Sequence, residues 1–247
     1  MLKPFLMLLM LCHLLLNPVQ AATNGQDLAF LPEQQVLAQL PQLQQQAAAD
    51  NKLLLLVLGA NWCHDSVALL QQFAKADFQQ ALQQRFVLAL VDVGYLEYGQ
   101  ATANRYGLPL YYATPTVMVI APQSGQLLNK MDLLHWSNAV SYDLATYQQY
   151  FLSHDFQQQF ARQQQLLAQI SPAQLAPITQ YEQQQAATLA QEYQRLGPLL
   201  KAYKASGLPA SAEFRQAWDE VKALRSAILP KVEQLQQQAI KAEPLPL

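Results

Sequence analysis

The chain has 247 residues, enough for one sizeable domain or for one domain with an appendage. Its 15 Lys and Arg side chains nearly balance its 17 Asp and Glu side chains, for a formal net charge of -2. Because the basic residues form no stripe along the sequence, the composition argues against nucleic-acid binding.

The N-terminal segment, residues 1–21, has the three parts of a secretory signal peptide. Lys3 is the positive start, Phe5–Leu16 is the apolar core, and Val19–Ala21 provides small residues before a cleavage site. This core is shorter than the ~20 residues that a spanning helix needs, which favours cleavage over an uncleaved anchor. Bulky residues before Cys12 argue against a lipoprotein signal. We therefore predict a periplasmic or otherwise exported protein with no membrane span after cleavage.

Removal of residues 1–21 leaves Cys63 as the one cysteine of the chain. It also removes Lys3, so that 14 basic residues (15 less Lys3) stand against 17 acidic ones, a formal charge of -3. Exported proteins often carry structural disulfides, but a lone cysteine cannot form one within the chain. Cys63 is then either a working thiol or a small buried apolar residue.

The first part of the remaining chain alternates helical and strand patterns. Pro32–Ala48 has helical apolar spacing, and Leu53–Leu58 is an unbroken apolar run, typical of a central strand covered on both faces. A helix begins near Cys63, Asp77–Gln84 forms a second helical piece, and Phe86–Val93 is another apolar strand.

The pattern from Tyr95 to Tyr106 is again helical, and Leu108–Thr114 is an irregular loop. Thr116–Ile120 and Leu127–Met131 are predicted to form the strands of a hairpin, and a helix over Ser141–Leu152 follows them. After the leading helix, the order of elements is β-α-β-α-β-β-α. We predict one α/β domain over residues 33–153.

Beyond residue 155 the sequence is rich in Gln and poor in Gly. Apolar residues recur at helical spacing, for example Phe214, Trp218 and Val221, and we expect their stripes to pack into a hairpin or bundle. Residues 155–242 are therefore predicted to be an all-α extension that serves as a scaffold or binds a protein partner. The predicted breaks between about four helices are Pro172, Gly197-Pro198, Gly207-Leu208-Pro209 and Pro230.

The stretch Trp62–Ser66 lies where the apolar strand runs into the helix. A cysteine in the first turn of a helix is close to unpaired backbone N–H groups and to the positive end of the helix dipole, which favour the thiolate. Ser66 is three residues after Cys63 and is expected to share its helix face. Its hydroxyl can donate a hydrogen bond to the thiolate, but it cannot form a disulfide.

In this setting, the string Gly59–Ser66 resembles the active-site turn of the thioredoxin superfamily. It is similar to that of exported bacterial members in which Ser replaces the second cysteine of the CxxC motif. The resemblance implies a thioredoxin-like fold, with a central mixed sheet flanked by helices. It also implies that Pro115, after Thr114, is a cis-proline opening the strand that faces Cys63; a trans proline that only ends the loop is the alternative.

Two residues depart from the superfamily pattern. Ser66 replaces the second cysteine, and Val57 stands where typical thioredoxins carry a buried Asp six residues before the first cysteine. Both departures affect the release step, so a conventional dithiol reductase is not expected. Cys63 can still form a mixed disulfide, which an outside thiol must then resolve. We predict monothiol exchange, isomerisation or deglutathionylation of protein or small-molecule clients, with a thiol such as glutathione as co-substrate and no bound cofactor.

Roles for the neighbouring residues follow from the same resemblance. Trp62 is expected to shield the cysteine and help a partner dock, unless it is only a core aromatic. His64 favours the thiolate when protonated, unless it is an exposed residue with no role. Thr114 and Pro115 shape the substrate-binding edge. A metal site would need ligands beyond Cys63 and His64, so none is predicted. The rival hypothesis is a non-enzymatic binding or scaffold module that uses the cis-proline groove and the helical extension.

Overall fold

A computed structural model describes residues 28–242, and the predicted signal peptide lies outside them. The strands are β1 (Leu31–Pro32), β2 (Leu53–Gly59), β3 (Phe86–Asp92), β4 (Thr116–Ala121) and β5 (Gln126–Leu127). The helices are α1 (Glu33–Ala49), α2 (His64–Phe73), α3 (Ala76–Arg85), α4 (Gln100–Arg105), α5 (Leu144–Gln148), α6 (Phe156–Leu167), α7 (Pro172–Ser206) and α8 (Ala212–Lys241). Short 3₁₀ segments cover Lys130–Asp132 and His135–Ser141, and a π-helical turn covers Gln149–Ser153.

The central strand of the sheet is β2, in the order β1-β3-β2-β4-β5. It runs parallel to β3 and antiparallel to β4, so the sheet is mixed. Leu54, Leu56 and Leu58 enter the core on one face, and Leu55 and Val57 enter it on the other. All five side chains are fully buried, and each contributes about 1.5–3 kcal/mol of hydrophobic stabilisation. The predicted central strand and the predicted thioredoxin-like fold class are confirmed.

Helices cover both faces of the sheet. One face packs against α2, α3, α5 and the start of α6, and the other packs against α1, α4, α7 and α8. The predicted helical C-terminal extension therefore shares a hydrophobic core with the sheet. None of the helices between residues 28 and 242 combines the length and the apolar character that crossing a bilayer requires.

Polar contacts also hold α7 against the segments that come before β4 and after β5. The Tyr193 hydroxyl donates to the carbonyl oxygen of Tyr111 at 3.2 Å, and the Tyr112 hydroxyl donates to Glu182 Oε1 at 2.9 Å. Lys130 Nζ lies 2.7 Å from the other oxygen of the Glu182 carboxylate. Because Glu182 is buried, these two partners are needed to offset the cost of removing its charge from water.

The extension has three helices, and the prediction of about four was wrong. Gly197-Pro198 lies inside α7 and Pro230 lies inside α8, whereas Gly207 does end α7, with φ 63°. A Cβ atom on Gly197 would lie 2.6 Å from the carbonyl oxygen of Tyr95. Gly197 therefore marks a close approach between α7 and a loop, and the buried face of α7 offsets the cost of an interior proline.

Two further boundaries differ from those predicted. The helix expected from Tyr95 begins only at α4, because Gly94, Leu96 and Gly99 have φ values of 59°, 76° and 99° that no α-helix can contain. The strand β5 is also shorter than expected, and the Asn129 side chain pairs with β4 in its place. Its Oδ1 accepts from the N–H of Val119 at 2.8 Å, and its Nδ2 donates to the carbonyl of Val117 at 2.9 Å.

Candidate active site

Cys63 lies at the junction between β2 and α2. It is the N-cap of α2, with an extended backbone (φ -90°, ψ 118°), and its N–H donates to the carbonyl of Ala60 at 3.1 Å. Cys63 immediately precedes the first backbone N–H groups of the helix, which include those of Asp65 and Ser66, but its side chain makes no capping hydrogen bond to them. Those groups and the positive end of the helix dipole can stabilise a negative sulfur.

The thiol faces the loop that leads into β4. Its Sγ donates to the carbonyl oxygen of Thr114 at 3.1 Å, and the peptide bond between Thr114 and Pro115 is cis. The register pairs Leu58 with Thr116, which places the start of β4 beside the end of β2. The structure therefore brings Cys63, Thr114 and Pro115 together at one edge of the sheet, although 51 residues separate the first two.

Cys63 is mostly buried, with 7% of its surface exposed. It lines a cavity of about 380 Å³, together with Trp62, His64, Asp65 and Thr114. A small molecule in this cavity can therefore approach the sulfur without unfolding of the surrounding chain.

Ser66 does not make the expected hydrogen bond to Cys63. The Ser66 hydroxyl is fully buried, and no residue of the described chain is a hydrogen-bond partner for it. It lies over the end of β2, where a Cβ on Gly59 would be 2.8 Å from it. The expectation assumed that both residues are helical, but Cys63 is an extended N-cap, and its thiol is directed to Thr114 instead.

His64 and Asp65 form a pair at the mouth of the cavity. The His64 side chain is 77% exposed, and its Nε2 lies 3.1 Å from Asp65 Oδ2. Asp65 is buried, and its Oδ1 accepts a hydrogen bond from the N–H of Val140 at 3.0 Å. Asp65 is thus more than a residue that starts a helix, because it attaches α2 to the 3₁₀ segment His135–Ser141.

Trp62 contacts both the domain and the extension. Its Nε1 donates to the carbonyl of Gly94 at 2.6 Å, which fixes the ring beside the loop before α4. The ring of Trp218 from α8 meets it edge to face, with centroids 6.3 Å apart and planes at 80°. Trp62 is half-buried and remains part of the cavity wall.

Residues 35–122 match a family model described as thioredoxin-like. The chain contains a thioredoxin-like domain. A solved structure of a disulphide isomerase from Xylella fastidiosa Temecula1 is similar, with 23% identity over 48% of this chain and 89% of that chain, and a TM-score of 0.44. The search of curated proteins found no match. The family match includes β2, Cys63 and β4, and it ends before the C-terminal extension begins.

The thioredoxin-like domain lacks two groups found in typical dithiol members. Val57 is buried beneath α2, in the position where those members carry a carboxylate. Cys63 is the one free cysteine of the described residues. Between residues 28 and 242, no three His, Cys, Asp or Glu side chains are grouped so that they could hold a metal ion.

The second wall of the cavity comes from the C-terminal extension and is not among the features predicted from the sequence. The spacing of Phe214, Trp218, Lys222 and Arg225 places them on one face of α8. That mixture of aromatic and basic residues was the available signal, but it did not indicate which surface the face meets. The residues of the extension that line the cavity are Leu200, Tyr203, Lys204, Phe214, Trp218, Lys222 and Arg225.

This second wall carries an excess of positive charge. The Arg225 guanidinium lies 5.5 Å from the centre of the Trp218 ring, and Lys204 Nζ lies 5.5 Å from that of Tyr203. Lys204, Lys222 and Arg225 form no ion pair with any acidic residue of the described chain. Burial raises the pKa of Tyr193 to about 12, and the nearby Arg225 charge partly opposes that rise.

Proposed function

We propose that the thioredoxin-like domain carries out monothiol thiol–disulfide exchange through Cys63. The observation that carries this proposal is the position of the sulfur, at the N-cap of α2 and on the wall of a cavity, opposite the cis peptide bond before Pro115. A nucleophilic sulfur needs nearby groups that can stabilise a thiolate and a route for the substrate, and the helix N-terminus and the cavity beside Cys63 support these two requirements.

The first step begins when the Cys63 thiol loses its proton to solvent, from which the departing thiolate can later take one up. A thiolate cannot donate to the carbonyl of Thr114, so ionisation frees Sγ to turn toward the N–H groups of Asp65 and Ser66. The thiolate attacks one sulfur of a substrate disulfide. A bond forms between Sγ and that sulfur, the substrate S–S bond breaks, and the second sulfur leaves as a thiolate with the bonding electron pair.

The second step needs a thiol from outside the chain, because Ser66 has no sulfur with which to attack. An external thiolate, or another thiol of the same client, attacks the client sulfur of the mixed disulfide. The new disulfide leaves and the Cys63 thiolate is regenerated, so the exchange involves no net oxidation of the protein. Such a cycle suits isomerisation, or deglutathionylation in which the external thiol is the reductant, better than reduction by a dithiol thioredoxin cycle.

The neighbouring residues support this cycle in different ways. Trp62 lines the cavity next to Cys63 where the extension meets the domain, and the backbone around Thr114 and Pro115 offers polar groups to a bound client. The exposed His64 can place a positive charge near the sulfur only when it is protonated, and Asp65 partly neutralises that charge. We assign Ser66 the role of a hydroxyl donor that the thiolate reaches after it leaves the Thr114 carbonyl.

Trapping of the mixed disulfide tests the proposal. The purified protein is incubated with a small disulfide and quenched with acid, and its intact mass is measured over time. We expect an adduct on the wild type and none on Cys63→Ser. Ser66→Cys should shorten the lifetime of the adduct at least about tenfold, because a resolving thiol is then present. Ser226→Cys, on an exposed part of α8 outside the cavity, controls for an added thiol acting between molecules.

If Cys63 in the native protein forms no adduct under conditions where a free cysteine peptide reacts, exchange is contradicted. The domain would then be a non-enzymatic binding module, the rival hypothesis. An exported location is also part of this proposal, and it rests on the sequence of residues 1–21. N-terminal sequencing of the mature protein should begin at Ala22, and an intact Met1 would contradict export with cleavage.

A further inference from the structure

The wall that the extension adds to the cavity is basic and is not neutralised. Lys204 comes from α7, and Lys222 and Arg225 come from α8, one turn apart. Asp65 is the one acidic residue among those lining the cavity. Its carboxylate already accepts a hydrogen bond from the N–H of Val140 and lies against the His64 ring. A ligand in the cavity therefore meets three basic side chains that form no ion pair within the described chain and a single carboxylate that already has partners.

Arg225 is held in a suitable position for an anion. Its side chain is half-buried, and its guanidinium is stacked near the Trp218 ring, which reduces the freedom it would lose on binding. The planar fork of an Arg side chain matches the two oxygens of a carboxylate. Lys222, one turn away, can add a second donor to the same ligand.

The size of the cavity favours a small ligand. Its volume of about 380 Å³ falls in the range of roughly 300–1,000 Å³ that is usual for small-molecule sites. The ring of Trp218 packs edge to face on that of Trp62, so the two walls of the cavity are in contact at this point. An extended protein client would have to displace this contact, whereas a small disulfide would not.

We infer that the C-terminal extension makes the Cys63 site selective for a small disulfide or thiol that carries carboxylate groups. This inference rests on the proposed exchange at Cys63. The carboxylate of the substrate lies against Arg225 and Lys222 while Sγ attacks the substrate sulfur. The departing thiolate takes the electron pair of the broken S–S bond into the same positive field, which stabilises the charge as it develops.

Three small disulfides of similar size and different charge test the inference: 3,3′-dithiodipropionate, 2-hydroxyethyl disulfide and cystamine. The rate constant of adduct formation on Cys63 is measured at pH 7 by intact mass. This rate constant is divided by the one for the reaction of N-acetylcysteine amide with the same disulfide, which corrects for the intrinsic reactivity of each disulfide. We expect dithiodipropionate to exceed cystamine by about tenfold or more, with the neutral disulfide between them. The preference should shrink in 0.5 M salt, because salt screens exposed charges.

Charge-removing variants connect the preference to the extension. Lys222→Gln/Arg225→Gln should reduce the ratio of the corrected rate constants for dithiodipropionate and cystamine to within about twofold of unity. The exposed pair Lys204→Gln/Lys222→Gln should reduce this ratio by a smaller factor. Lys231→Gln makes the same charge change on α8 outside the residues lining the cavity, and it should leave the ratio unchanged.

The outcomes separate the two proposals. Reaction with none of the disulfides contradicts exchange at Cys63 itself. Equal corrected rates for all three disulfides, or a preference that survives Lys222→Gln/Arg225→Gln, overturn the inference about the extension and leave exchange intact. Faster reaction with an acidic decapeptide disulfide than with dithiodipropionate would overturn the assignment of a small substrate.

Discussion

Gly197→Ala tests how closely the extension packs on the thioredoxin-like domain. In an unobstructed helix, replacement of an interior Gly by Ala stabilises by about 1 kcal/mol. At Gly197 the added Cβ would lie 2.6 Å from the backbone oxygen of Tyr95, whereas ordinary contacts begin at 3.4 Å. The atom to be displaced belongs to the backbone, so α7 or the loop before α4 must move by about 0.8 Å, the difference between these two distances.

The expected sign follows from comparing the two effects. Overpacking of this kind costs about 1–3 kcal/mol, which exceeds the gain of about 1 kcal/mol in helix propensity. We therefore expect Gly197→Ala to lower the free energy of unfolding by about 1 kcal/mol, measured by urea denaturation. The same displacement moves Gly94, whose carbonyl accepts the Trp62 hydrogen bond, so alkylation of Cys63 should become faster.

Ala202→Gly is the matched control, because Ala202 is exposed in the same helix. It should also lower the free energy of unfolding by about 1 kcal/mol, through helix propensity alone, and it should leave the alkylation rate of Cys63 unchanged. A Gly-to-Ala and an Ala-to-Gly substitution in the same helix would then both lower the free energy of unfolding. An increase in stability of about 1 kcal/mol for Gly197→Ala would refute the close approach to Tyr95.

Three other substitutions test single contacts. Ser66→Ala should raise the free energy of unfolding by about 1 kcal/mol, because it removes a buried hydroxyl without a partner; a loss of stability in urea denaturation would show that the hydroxyl is bonded. Asn129→Ala should lower the free energy of unfolding by about 2–4 kcal/mol, because it leaves two β4 backbone groups unpaired. Asn138→Ala, at an exposed position, should change it by no more than about 0.5 kcal/mol. Burial lowers the pKa of His135, which stacks on Tyr142 and Tyr150. The unfolded chain then binds more protons as pH falls below about 6.5, so stability is lost there. His135→Phe keeps the stacking and should reduce the difference between urea midpoints at pH 7.5 and pH 5; an unchanged difference would exclude His135 as its source.

Some features could be predicted because their causes are local. The unbroken apolar run of β2 requires a strand covered on both faces, since no exposed position interrupts it. The helix after Cys63 follows from the apolar spacing of the next ten residues. Errors arose where a distant contact decides the local conformation. Gly197 and Pro198 look like a helix end when only neighbouring residues are considered, yet α7 continues because it is buried on the sheet.

The candidate site likewise has features that depend on the local sequence and features that depend on tertiary packing. Cys63, the serine in place of a second thiol at position 66 and the apolar Val57 are properties of the chain itself, and they are enough to predict monothiol chemistry. The basic wall is different, because Lys222 and Arg225 lie about 160 residues from Cys63 in the chain. Helical periodicity shows that they share a face with Trp218, but it does not determine what that face contacts. Only the packing of α7 and α8 on the sheet brings their charges to the sulfur, because hydrophobic burial drives that packing and acts between surfaces regardless of their separation in sequence.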